Sequence, residues 1–166
     1  MTAKMNASLE KSLKTVYATL EEVERYQHAS RVLGFDQQTI CPPLGMEEQG
    51  ETSAFLSNKA FQLSKSKKFI SAAEDLYAKR KSLNEWDRTL AESLHRDYLR
   101  NKNITPAMDK QFSLVFNKAF VNWLKAKKAA DFSIFADSLS DVRKVNLKQI
   151  ALAEKAMRVP YDNLLD

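Results

Sequence analysis

The chain has 166 residues, 44% hydrophobic and 28% charged, which suits one soluble domain over 1–166 with a real core, since a chain of this size buries roughly 70% of its unfolded surface. Its net charge of +5 is spread thinly, with five basic and five acidic residues in 1–40, ten and nine in 41–100, and eleven and seven in 101–166. That balance argues against a nucleic-acid-binding stripe, and no apolar run approaches the ~20 residues of a membrane span.

No signal-peptide core is visible at the N-terminus. The one cysteine, Cys41, allows no internal disulfide and fits a reducing, cytoplasmic setting. Three glycines and four prolines leave few turns, so the helices should be long.

Leu9, Leu13, Val16, Leu20 and Val23 recur in 4-3-4-3 steps, the stripe of an amphipathic helix from about Met5 to Leu33. Phe35–Gly45 then reads as the longest non-helical passage. Pro42-Pro43 exclude helix and push the preceding residue to an extended backbone. Gly34 and Gly45 bracket the passage and each permits positive φ. Asp36, Gln37, Gln38 and Thr39 crowd the turn.

A second helix is expected over Met46–Leu63, burying Phe55, Leu56, Ala60 and Leu63, with Glu47-Glu48 facing its positive end. Ser64–Lys68 breaks it. Phe69, Ile70, Ala73, Leu76 and Tyr77 form the face of a third helix, closed by Lys79-Arg80-Lys81. Asn84 caps a fourth that carries Trp86, Leu90, Leu94 and Tyr98, with Asn101–Ile104 closing it. Thr105-Pro106 starts a fifth, with Met108, Phe112, Val115, Ala119 and Trp123 on one face and Phe116, Phe120 and Leu124 beside it. Asp131 caps a sixth, with Phe135, Leu139, Val142, Ile150, Ala153 and Met157 inward and Pro160 as its stop. No segment alternates with period two for long enough to be a strand. The expected fold is all-α, an antiparallel bundle of about six helices.

Catalytic constellations are scarce. A helical HExxH zinc site needs two imidazoles one turn apart, and the two histidines, His28 and His95, stand 67 positions apart. No catalytic or metal-ligating residue is assigned. Cys41 has no base beside it in sequence to activate it as a nucleophile, and no Gly-rich phosphate loop occurs. Carboxylates gather near the turn (Asp36, Glu47, Glu48, Glu51), where acid–base work and simple helix-end electrostatics are both open.

Several passages together resemble the carboxypeptidase Taq family of zinc metallocarboxypeptidases. Phe35-Asp36-Gln37-Gln38-Thr39 and Pro42-Pro43-Leu44-Gly45 look like its aromatic-Asp-Gln-x-Thr segment and the turn that follows. Leu94–Tyr98 ahead of Thr105-Pro106, Trp123-x-x-Ala126 with Asp131-Phe132-x-x-Phe135, and Tyr161–Asp166 are similar to later passages of that family, in the same order. Two positions depart: Phe35 stands where tryptophan is usual, and Gln49 where the family tends to have arginine.

The resemblance implies a longer parent enzyme, with the HExxH histidines, third zinc ligand and general-base glutamate all downstream of residue 166. It implies that this chain is the N-terminal helical wall of a groove over the zinc, non-catalytic alone. Its implied partners are the missing catalytic domain, a peptide substrate cut at its C-terminus and a possible homodimer, with no nucleic acid and no membrane. Asp36, Gln37 and Thr39 are the groove candidates; the competing reading is that they satisfy backbone groups of their own turn. A free-standing helical protein-interaction module, binding through the leucines of the Tyr161–Asp166 tail, is the alternative function.

Overall fold

Helix α1 runs unbroken from Ala7 to Thr39 and carries the first core stripe, with Leu9, Leu13, Val16 and Val23 buried. The computed structural model describes residues 7–153, Val159 and Asp162. Five more helices follow: α2 (Met46–Ser64), α3 (Lys67–Ala78), α4 (Glu85–Asn101), α5 (Pro106–Ala129) and α6 (Ser133–Leu152), with a short 3-10 turn at Arg80–Ser82 between α3 and α4. The all-α expectation holds, and the described residues contain no strand.

The helices pack as a row. In spatial order they run α4, α3, α1, α2, α5, α6, so the long α1 and its neighbour α2 form the spine. One apolar cluster joins α1, α3 and α4 through Leu9, Leu13, Val16, Phe69, Leu76 and Ala91. A second joins α5 and α6 through Phe112 and Val145, together with Ile104 and, from α2, Phe61.

Local signals place most helix starts. Asn84 Oδ1 accepts from Asp87 N at 2.9 Å, and Thr105 Oγ1 accepts from Met108 N at 3.2 Å ahead of Pro106. Ser66 caps α3 by accepting from Phe69 N. Asp131, expected as the cap of α6, lies one residue ahead of the actual N-cap Phe132; its Oδ1 accepts from Ser133 N at 2.9 Å, which holds its carboxyl below the usual range. Arg80 donates to Tyr77 O at the end of α3 and lies over the Tyr77 ring.

Four expectations are corrected. First, Gly34–Thr39 belong to α1, and the break is only Ile40–Gly45. Pro42 lacks its own N–H and restricts residue 41, which leaves the chain up to Thr39 free to stay helical. Second, no described glycine has positive φ, and Gly45 sits at φ −86.

Third, Phe55 is exposed. Helix α2 is clasped between α1 and α5, and its inward positions are the small or polar Gly50, Ala54, Asn58 and Ala60. A Cβ on Gly50 would come within 3.3 Å of Asn117 Cβ, so this glycine permits the close α2–α5 approach. Fourth, Trp86, Trp123 and Leu139 are exposed. Helix α4 buries the Asp87–Ala91 side, and α6, with one close neighbour, buries only Ser138 and Val145. Helix α6 also ends at Leu152, ahead of Pro160. Met157, Pro160 and the tail leucines Leu164 and Leu165 lie outside the described residues.

Candidate functional site: the α1–α2 elbow

All three candidate residues sit on the last turns of α1; Asp36 and Gln37 spend their side chains across the elbow, and Thr39 bonds back within α1. Ile40 N and Cys41 N both donate to Asp36 O at 3.0 Å, which closes the helix, and Gly45 N donates to Pro42 O at 2.8 Å, which closes the turn. Gln37 is buried, and its Nε2 donates to Met46 O at 3.0 Å, tying the end of α1 to the start of α2. The Asp36 carboxylate accepts from Gln49 Nε2. Thr39, exposed, donates its hydroxyl to Phe35 O at 2.8 Å. Gln38 Nε2 likewise bonds back to Gly34 O at 3.1 Å.

The bracing extends outward from the elbow. Asn117 Nδ2 of α5 donates to Gly50 O at 2.8 Å. Asn58 of α2 donates to Pro106 O and, at 3.1 Å, to Asp109 Oδ2. Ser30 and Ser53 hydroxyls meet at 2.8 Å between α1 and α2. Sequence reasoning does not reach Gln49, Asn58 or Asn117 as structural posts. Their one signal is a polar amide at a helical position that faces a neighbour.

A cleft of ≈ 370 Å³ opens beside the elbow between the first turns of α2 and the middle of α5. Glu47 and Glu51 stand on its α2 wall and Lys118 and Lys125 on its α5 wall. A second hollow, ≈ 520 Å³, lies where α1, α2, α3 and α4 meet, lined by Leu20, Phe61, Phe69, Leu94 and Tyr98. Lys65 reaches across its rim to cap α4, donating to Asn101 O at 2.6 Å and Lys102 O at 2.9 Å. Burial lowers the pKa of that ammonium.

The described residues bring together no set of zinc ligands. His28 is exposed on α1. His95 is committed elsewhere: Nδ1 pairs with Glu74 Oε1 at 2.8 Å, and the ring stacks on Tyr77 at 3.7 Å between centroids. Among the described residues no three His, Cys, Asp or Glu side chains converge on a point that would hold a metal ion. Cys41 is a free thiol whose Sγ contacts Pro42 O at 3.4 Å. No described helix is long and apolar enough to cross a membrane.

Fold and site together define an all-α protein built on a hydrogen-bonded helical elbow. Comparison with known proteins identifies it more closely. The chain belongs to the carboxypeptidase Taq (M32) metallopeptidase family, whose model matches residues 15–166. It is 28% identical over 153 residues to carboxypeptidase 1 of Bacillus subtilis (strain 168), covering 92% of this chain and 30% of that protein. It is 27% identical over 161 residues to thermostable carboxypeptidase 1 of Pyrococcus furiosus, covering 93% of this chain and 31% of that one. The solved structure "BsuCP Crystal Structure" superposes with a TM-score of 0.87 at 28% identity, over 94% of this chain and 31% of that chain. The chain therefore spans about a third of the length of the relatives it matches.

Proposed function

We propose that this chain is a helical wall of the substrate groove of a zinc-dependent metallocarboxypeptidase and performs no hydrolysis by itself. One observation carries the reading: the metallopeptidase family model runs through residues 15–166, yet the chain spans only 30% of the Bacillus subtilis relative. Zinc and the general base would belong to the part of a family member that has no counterpart here. In the whole enzyme the row of helices would restrict approach to the groove, so that a peptide enters by its free C-terminus.

Within that wall Asp36 and Gln37 act as positioning residues, since both bind across the elbow to α2. Thr39, exposed at the end of α1, is the candidate for direct contact with peptide. The single free cysteine supports a reducing, cytoplasmic setting.

The test is elemental analysis of the purified chain and an assay for release of C-terminal amino acids from a peptide, with zinc supplied. The expected result is no stoichiometric zinc and no release. Zinc-dependent release that chelation abolishes would overturn the reading. Grafting the chain into Bacillus subtilis carboxypeptidase 1 in place of the matching region tests the groove role. Substituting Thr39→Ala there should raise KM with little change in folding, and unchanged kinetics would remove Thr39 from the groove.

A further inference from the structure

Two walls of opposite charge line the cleft between α2 and α5. On α5, Leu114, Lys118, Val121 and Lys125 recur in 4-3-4 steps, so apolar and cationic groups alternate along one stripe. On α2, Glu47 and Glu51 stand one helical turn apart. The two helices are tied at Gly50, which brings no side chain into the space and whose carbonyl accepts from Asn117 Nδ2 at 2.8 Å. Met46 and Val121, both half-buried, and the exposed Leu114 give the cleft an apolar lining.

The charges of the two walls do not cancel. Neither glutamate and neither lysine makes a hydrogen bond or an ion pair among the described residues. Asp141 of α6, which the Lys118 charge also reaches, is bonded by Lys144 at 2.8 Å. Carboxylates and ammoniums that would pair on contact are therefore kept beyond pairing distance by the space between the helices.

That arrangement selects for charge pattern. A simple anion is drawn by the lysines and repelled by the glutamates, and a simple cation meets the reverse. A molecule carrying both charges gains from both walls at once. Its uncharged body would lie on Met46, Leu114 and Val121, and a cleft of ≈ 370 Å³ falls within the range of small-ligand sites. Beyond Glu51 and Leu114 the surface continues into a hollow of ≈ 450 Å³ beside Phe55 and Lys110, which leaves room for more than one residue. The larger hollow among α1–α4 offers no such pair of walls, since Lys65 on its rim is spent on Asn101 O and Lys102 O.

We propose that the α2–α5 cleft binds a zwitterion with an apolar body, an α-amino acid or a short peptide, with its ammonium at Glu47 and Glu51 and its carboxylate at Lys118 and Lys125. The inference does not rest on the proposed function. It needs only this chain's own side chains, and its test reads binding and not hydrolysis.

The test is calorimetric titration of the chain with L-leucine and with the dipeptide leucyl-leucine, beside N-acetyl-leucine, which lacks the ammonium, and leucinamide, which lacks the carboxylate. At least one zwitterion should bind one to one with a Kd of about 1 mM or tighter, and both singly charged forms about tenfold more weakly. The tighter of the two zwitterions tells a single amino acid from a peptide as the occupant.

Glu47→Gln with Glu51→Gln, and separately Lys118→Met with Lys125→Met, should each weaken zwitterion binding about tenfold. Tm should change by no more than about 2 °C, because all four side chains are exposed. In the glutamine pair N-acetyl-leucine should bind as well as leucine does, a change of preference that loss of folding would not produce. Failure of both zwitterions to saturate the chain below about 10 mM would overturn the inference. So would a singly charged form that binds the parent chain as tightly, or zwitterion binding that survives either pair of substitutions.

Discussion

Gln49 Nε2 on α2 donates to the Asp36 carboxylate on α1, while Oε1 of the same amide is buried with no hydrogen-bond donor among the described residues. One half of this side chain holds the elbow and the other half weakens it, since a buried acceptor without a partner carries a desolvation cost. Arginine at this position would present only donors, and its fork matches a carboxylate. Gln49→Arg should therefore stabilise the chain by about 1 kcal/mol, a rise in Tm of roughly 2–4 °C. Asp36→Ala in the same background should abolish the gain, and urea denaturation of the four-member cycle measures the coupling. A gain that survives Asp36→Ala would show that the pairing is not its source.

Tyr17 OH, on α1, donates to the buried Asp87 carboxylate at the start of α4, which Asn84 Nδ2 also contacts at 2.7 Å. The bond to Asp87 is the main reason the Tyr17 phenol lies above its ordinary pKa, followed by burial. Tyr17→Phe should cost about 1–2 kcal/mol near neutral pH, because Asp87 loses a donor while staying buried. The sign with pH follows from linkage. Folded Tyr17 binds its proton more tightly than the unfolded chain does, so its contribution is full below about 10.0 and is lost as pH rises through the folded value. Chemical denaturation from pH 8 upward should show a steeper decline in the parent chain than in Tyr17→Phe.

Asp109 lies in the first turn of α5, and burial raises its carboxyl pKa, with the hydrogen bond from Asn58 partly opposing the rise. A raised folded pKa means that the stability contribution is present below the unfolded value near 3.8 and is lost as pH climbs through the folded one. Asp109→Asn keeps an acceptor for Asn58 without a charge to desolvate. The variant should be more stable than the parent at pH 7, with the gap narrowing as pH falls toward 4. A constant gap across that range would show that titration of Asp109 is not the cause.

Helix α5 ends on Ala130, whose φ of 52 and ψ of 34 place it in the left-handed region. A side chain there crowds the following carbonyl, whereas glycine does not. Ala130→Gly should stabilise the chain by roughly 0.5–1 kcal/mol once the greater freedom of glycine in the unfolded state is allowed for. Thermal unfolding checks the direction, and Ala129→Gly, inside the helix, should lower Tm as a control.

The amino-acid sequence by itself determined the elements. Asn84 and Thr105-Pro106 mark their helices through contacts three residues away, the Leu9–Val23 stripe requires an inward face, and the motifs along 35–166 carry the family resemblance. Such signals act over one or two turns of backbone, so neighbouring residues suffice to express them.

The tertiary structure alone decided how far α1 runs, which side of α2 and α6 is covered, and what the polar residues of the elbow do. Phe55 faces water because the two sides of α2 are taken by close-packed α1 and α5, and Leu139 does because α6 has one close neighbour. Gln37 and Asp36 find their partners on the following helix, and Asn58 and Asn117 theirs on α5 and α2. Hydrophobic burial has no direction of its own and helical periodicity fixes only the spacing of a face; the neighbours that fill that face, and the amides that meet across it, exist only once the helices are side by side.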